Sequence, residues 1–233
     1  MRKISYVITF LAVVVSLIFT VLSLTHVDWC AVIMQLLFLS HEQAFAGSSS
    51  SLLWFLGIQI TLKYGLNTLC ELRKVGSGDD KSKFEYSSYE CRPFPKRVQD
   101  GCEEENSSFC AAWTSAAYAV EISIALAVLA LLAILIGLST GSRRRRIWRT
   151  VAGLVALQAA MQIVAFAIVT DTMRTGAFPT FEDAKPGVGY AFNTFTWIFS
   201  VIIAVGVVVT GISADQGHKW AAGNRAYRRI SDA

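Results

Sequence analysis

Charge is what this chain has least of. Asp, Glu, Lys and Arg make up 16% of its 233 residues, and apolar residues make up 54%. An ordinary soluble domain is about 25% charged, because its surface has to face water. The mean hydropathy of +0.47 points the same way. Polar bias, a Gly-X-Y period and heptads are all absent, which excludes a disordered tail, a collagen and a coiled coil. Histidine is scarce as well. The three are His26, His41 and His218, and none sits beside a Ser, Cys or Asp at a spacing that suggests catalysis. No Cys-x-x-Cys occurs, so a four-span thiol oxidoreductase is excluded. What remains is a multi-pass membrane protein with its polar residues gathered into loops.

Only nearly uncharged apolar runs of about 20 residues can cross a bilayer as helices. Four runs qualify: 4–24, 117–138, 147–170 and 188–212. Glu121 and Arg149 lie near the starts of the second and third, and Asn193 and Thr194 interrupt the fourth early. The first run follows Arg2 and Lys3 like a signal peptide. Its apolar core is too long for one, and no small-x-small cleavage site follows Leu24, so it is read as a retained anchor.

Basic residues in the flanks set the orientation. On one side lie Arg2 and Lys3; Arg143, Arg144, Arg145, Arg146 and Arg149; and Lys219, Arg225, Arg228 and Arg229, with only Asp215 and Asp232 as acids. The other side holds ten basic residues and fourteen acids. The basic side is expected to be cytoplasmic. The organisation is then a cytoplasmic N-terminus (1–3), an outer loop domain (25–116), a basic cytoplasmic loop (139–146), a short outer loop (171–187) and a basic cytoplasmic tail (213–233). All five cysteines, Cys30, Cys70, Cys91, Cys102 and Cys110, fall in the first outer loop, as an oxidising compartment requires.

That loop is long enough to be a small domain. From Ile58 to Asn67 apolar and polar residues alternate, the mark of a half-buried strand. Gly47 and Ser48–Ser51 read as a turn before it, and Trp29–Leu39 is either another strand or an extension of the first helix. Gly76–Asp80 is a loop, Phe84–Arg92 a second short strand, and Pro93 and Pro95 end it. Glu103, Glu104 and Glu105 lack the spaced oxygen ligands of a calcium loop and read as a solvated stretch. Asn106-Ser107-Ser108 is the chain's one N-glycosylation sequon.

The expected fold is therefore a four-helix transmembrane bundle with a small extracellular antiparallel sheet in the first outer loop. This architecture resembles the claudin superfamily, and residues carry the resemblance further. Trp29 follows the first span, and Gly65, Leu66 and Cys70 stand at the spacing of the family's Gly-Leu-Trp-x-x-Cys motif. Asn67 replaces the motif's Trp, and Cys91, the natural second cysteine, lies further on than in animal claudins. The chain ends Ser231-Asp232-Ala233, without the family's hydrophobic dipeptide. With the additional pair Cys102 and Cys110, this looks more like the fungal branch that includes the SUR/PalI membrane proteins. Tetraspanins carry their cysteine-rich loop second, with a Cys-Cys-Gly motif that is missing here.

Four cysteines allow three connectivities. The two-cysteine signature implies Cys70–Cys91, and antiparallel pairing around Gly76–Asp80 would bring those two together. Cys102 and Cys110 would then close a small ring, and Cys30 would pack as a small apolar residue.

Intramembrane polar residues are functional candidates. Glu121 reads as lying at headgroup level. Gln158 and Gln162 share one face of the third span and are expected to bond neighbouring helices. Ser16, Thr20, Ser23, Ser200 and Thr210 can each bond their own backbone. Arg143–Arg146 set topology and attract anionic lipid. Arg228-Arg229-Ile230-Ser231 resembles a basophilic kinase site. The resemblance implies a non-enzymatic protein that organises a membrane patch, a cell-cortex or wall contact, or a sensor complex, most readily at the plasma membrane; an ion pathway or channel-regulating subunit is the alternative. The implied partners are membrane lipids and other membrane proteins, including further copies of the chain, and not nucleic acid. No cofactor or metal is expected.

Overall fold

The structure, a computed structural model, describes residues 3–38, 56–76, 84–103, 105–139, 144–176, 178–179, 181 and 184–218. In chain order the elements are α1 (Lys3–Thr25), β1 (Cys30–Phe38), β2 (Leu56–Tyr64), β3 (Thr68–Gly76), β4 (Phe84–Pro93), α2 (Ser107–Ser139), α3 (Arg144–Thr175), β5 (Lys185–Pro186) and α4 (Val188–Asp215). The chain divides into a helical unit (Met1–Thr25, Ser115–Val169, Tyr190–Ala233) and a sheet unit (His26–Thr114, Thr170–Gly189).

Four helices are long and apolar enough to cross a membrane, at Ile4–Thr25, Ser107–Leu138, Ile147–Thr175 and Val188–Asp215. Together they are the helices of a multi-pass membrane protein. Each keeps one stripe inside. On α2 the stripe is Ala116, Val120, Ser123, Ala127, Ala130 and Ile134; on α3 it is Trp148, Val151, Val155, Gln158, Gln162, Ala165 and Val169. Spacings of three and four residues place each set on one helix face. Alanine and serine recur in these seams because, without a hydrophobic drive between helices in lipid, close backbone approach supplies the packing. Tyr6 and Val13 of α1 and Ile203, Ala204 and Val207 of α4 pack into the same core.

The remaining faces are large and aliphatic. Ile4 is 67% exposed and Ile202 62%, with Ile8, Leu11, Leu132 and Val205 also exposed. Water would make such surface costly, at about 25 cal/mol per Å2.

In the sheet unit the strands lie in the order β4-β3-β2-β1-β5, antiparallel throughout. The residues expected to be strand or helix extension, Trp29–Leu39, supply β1, which pairs Cys30 with Tyr64 and Phe38 with Leu56. The alternating run stops being a strand sooner than its pattern suggests. β2 ends at Tyr64, Gly65–Asn67 turn, and Cys70 lies inside β3, not at the end of the first strand. Leu66 keeps the alternation only because the turn buries it.

The span boundaries also shift. α2 begins ten residues before 117, so the approach to the second span is helical. α3 begins at Arg144, so most of the arginine run is helix where a loop (139–146) was expected, consistent with the good helix propensity of Arg. The loop 171–187 is partly helix, to Thr175, and Lys185–Pro186 becomes a strand of the sheet. The turns read at Ser48–Ser51 and Gly78–Asp80, together with His41, Glu104, Arg143 and the tail from Lys219, lie outside the described residues.

Candidate functional site

Two constellations carry the polar and covalent chemistry of the chain. The first gathers the signature residues in the sheet unit. Trp29 is fully buried, and its N–H donates to the Tyr64 carbonyl at 2.8 Å. Gly65 opens the β2–β3 turn and donates to Thr68 O at 2.7 Å. A Cβ at Gly65 would meet Thr68 O at 3.0 Å and Val27 Cα at 3.1 Å, which explains a glycine there. Leu66 is buried in the turn, whereas Asn67 is exposed, its carbonyl accepting from Phe94 N at 3.1 Å.

Cys70 of β3 lies directly opposite Cys91 of β4, and the two are disulfide-bonded with Cα atoms 4.1 Å apart. Cys102 and Cys110 form the second disulfide. Cys30 is free and buried. Burial, reinforced by the nearby Asp28 charge, pushes its thiol up to about 12. A thiol in that state is protonated and unreactive.

The residues that hold this unit together were not singled out from sequence. Tyr64, Phe94, Phe109, Trp113, Phe178 and Phe181 form one aromatic cluster. Phe109 stacks on Phe178 at 4.7 Å between centroids, and Tyr64 meets Phe181 edge-on at 4.9 Å. Trp113 donates its indole N–H to the Gly65 carbonyl at 3.2 Å. Four of the six rings come from the first turns of α2 and the 171–187 segment, and Phe94 follows directly on β4. No local periodicity marks such residues, because their partners are distant in sequence.

The same segment straps the start of β1. Gly187 N donates to Trp29 O and Gly189 N to Asp28 O. A Cβ on Gly189 would collide with the Trp29 indole. Lys63 pairs with Asp28 at 3.3 Å.

Below the turn, Arg92 grips Asp100 through two nitrogens, at 2.9 Å and 2.5 Å, and the Lys96 N–H donates to the same carboxylate at 2.6 Å. Burial pushes the Asp100 carboxyl up, but the Arg92 and Lys96 hydrogen bonds and their charges outweigh it and hold the group below its ordinary value.

The second constellation lies in the helical unit, and it corrects one reading. Ser16 and Ser200 do not simply bond their own helices; their hydroxyls pair with each other at 2.9 Å. Gln158 donates to Ser16 Oγ at 2.9 Å. Gln162 donates to Thr20 Oγ1 at 2.8 Å and to Ser123 Oγ at 3.4 Å, and Asn193 donates to the Gln162 carbonyl at 3.2 Å. Thr20 and Thr210 do turn to their own backbones. One polar network thus touches all four helices. Among the described residues, Gln158 Oε1, Gln162 Oε1 and Asn193 Oδ1 are buried and accept no hydrogen bond.

Glu121 is exposed. Arg149 lies over the Trp148 ring at 5.4 Å and reaches Asp215 at 3.8 Å. Arg144, Arg145 and Arg146 open α3. Among the described residues no group of three His, Cys, Asp or Glu is placed to hold a metal ion. The chain matches no protein-family model and no curated protein.

Proposed function

We propose that this chain is a non-enzymatic, claudin-like membrane protein that organises a membrane patch, a cell-cortex or wall contact, or a sensor complex. The observation that carries the reading is the pairing of four apolar helices with a disulfide-stapled antiparallel sheet. The Trp29, Gly65, Leu66 and Cys70 signature lies where that sheet is closed and strapped, and the additional pair Cys102 and Cys110 favours the fungal branch of the superfamily. The basic side faces the cytoplasm, and residues 25–116 and 171–187 face outward, at the plasma membrane. Arg144–Arg146 stand at the start of α3, a helix end that gives basic residues no support. They therefore need another reason to be there, and topology with anionic lipid supplies it. Partners are membrane lipids and other membrane proteins, including further copies of the chain. Cross-linking from the outer loop in native membranes tests this reading: it should capture membrane proteins, and recovery of the uncoupled monomer alone would count against it.

The buried Gln158–Gln162–Asn193 network favours a second reading, an ion pathway or channel-regulating subunit. Reconstitution in a planar bilayer separates the two. The organising role predicts no conductance, and a reproducible conductance abolished by Gln162→Leu would select the second.

A further inference from the structure

We propose that Asn106 accepts an N-linked glycan only while Cys102 and Cys110 are unbonded, so that the glycan marks chains whose ring has failed to close. The proposal rests on the outward orientation of residues 25–116.

Asn106, Ser107 and Ser108 form a complete acceptor sequence. In the folded chain its acceptor asparagine is engaged at three atoms, while Ser107 and Ser108 are exposed. The acceptor atom, Asn106 Nδ2, donates to the Asp100 carbonyl at 3.0 Å. Asn106 N donates to Gly101 O at 3.1 Å, and Asn106 O accepts from Cys110 N at 2.9 Å. Ser107 and Ser108 are the first two residues of α2. Asp100 is held in turn by Arg92 and the Lys96 N–H. The Cys102–Cys110 bond closes around the sequon from both sides. The corner is tight, since a Cβ at Gly101 would stand 3.2 Å from Asn106 Nδ2.

Glycosyl transfer needs the opposite state. Nδ2 must leave Asp100 O, lose a proton to a base and attack the anomeric carbon of a lipid-linked oligosaccharide pyrophosphate. The N–C bond forms, the anomeric C–O bond breaks, and the lipid pyrophosphate departs with the electron pair. Ring closure oxidises the two thiols: two protons and two electrons pass to a protein disulfide donor, which is reduced to its dithiol. The two reactions exclude each other. A closed ring holds Nδ2 against the Asp100 carbonyl, and the amide cannot leave that bond to reach the transferase while the ring is shut.

The test expresses the full chain in a eukaryotic secretory system. Glycan is read as a mobility shift removed by endoglycosidase, and free thiols are counted with a maleimide. Wild-type chains should carry little glycan, and Cys102→Ser/Cys110→Ser should raise occupancy several-fold. Cys70→Ser/Cys91→Ser, which disturbs folding but spares the ring, should leave Asn106 near its wild-type occupancy. Any glycosylated wild-type chains should show thiols at 102 and 110. Glycan on wild-type chains with the ring closed overturns the proposal, as does an equal rise in both double variants. Asp80→Asn, which completes a second acceptor sequence with Lys81 and Ser82, reports orientation in an Asn106→Gln background. If it is modified while the ring-open variant is not, the proposal alone fails. If neither is modified, the outward orientation fails with it.

Discussion

Acid should loosen the Asp100 clamp only at low pH. Its carboxyl is held below the ordinary value of about 3.9, so it adds stability above that value and loses it as pH falls through the lower folded value. Thermal melts in detergent should be flat from this group between pH 7 and 5 and fall below about pH 4. Asp100→Asn should lower the melting temperature at neutral pH and shrink the acid slope; an unchanged slope would remove Asp100 as its cause. Cys30 gives a second test at this scale. With its thiol raised to about 12 and its side chain buried, maleimide should label it only after denaturation. Fast labelling in the folded protein would contradict the burial.

Among the elements, the polar seam of the four helices behaves differently from a set of independent hydrogen bonds. Gln158→Leu removes a donor to Ser16 but also an oxygen that accepts nothing, so its cost should stay below about 1 kcal/mol. Ser16→Ala is the smaller chemical change and should cost more, about 1–3 kcal/mol, because it strands both Gln158 Nε2 and Ser200 Oγ. Resistance to unfolding by a harsh detergent measures the order, and the reverse order would show that the network is not coupled as drawn. In the sheet unit, Phe181→Ala should cost about 3–5 kcal/mol, since the ring is fully buried against Tyr64, Phe109, Trp113 and Phe178. Limited proteolysis should then cut the strands faster; an unaltered pattern would mean that the 171–187 segment is dispensable to them. β5 adds a device of its own. Pro186 has no N–H to offer on the sheet edge it occupies, which blunts that edge against further strand addition.

For the whole molecule, the basic asymmetry predicts that tags at residues 1 and 233 are protected from protease in intact cells. Cleavage of either from outside would overturn the orientation. The four apolar helices were legible in the sequence because lipid solvation is a property of each segment alone: about 20 apolar residues suffice whatever else the chain does. The strand character of β2 and β4 was legible for the same reason, as period-two alternation is local. The Cys70–Cys91 opposition was half legible. The strand of Cys91 could be read, but the separate strand that holds Cys70 could not, because alternation continues unbroken through the Gly65–Asn67 turn. Tertiary structure alone decided the rest. It drew Phe178, Phe181 and the Lys185–Gly189 strap into a domain more than sixty residues away in sequence, and it turned Ser16 toward Ser200 instead of its own helix. The physical reason is common to both. A ring or a hydroxyl gains most from whichever partner is nearest once the chain has closed, and that partner has no fixed offset along the sequence.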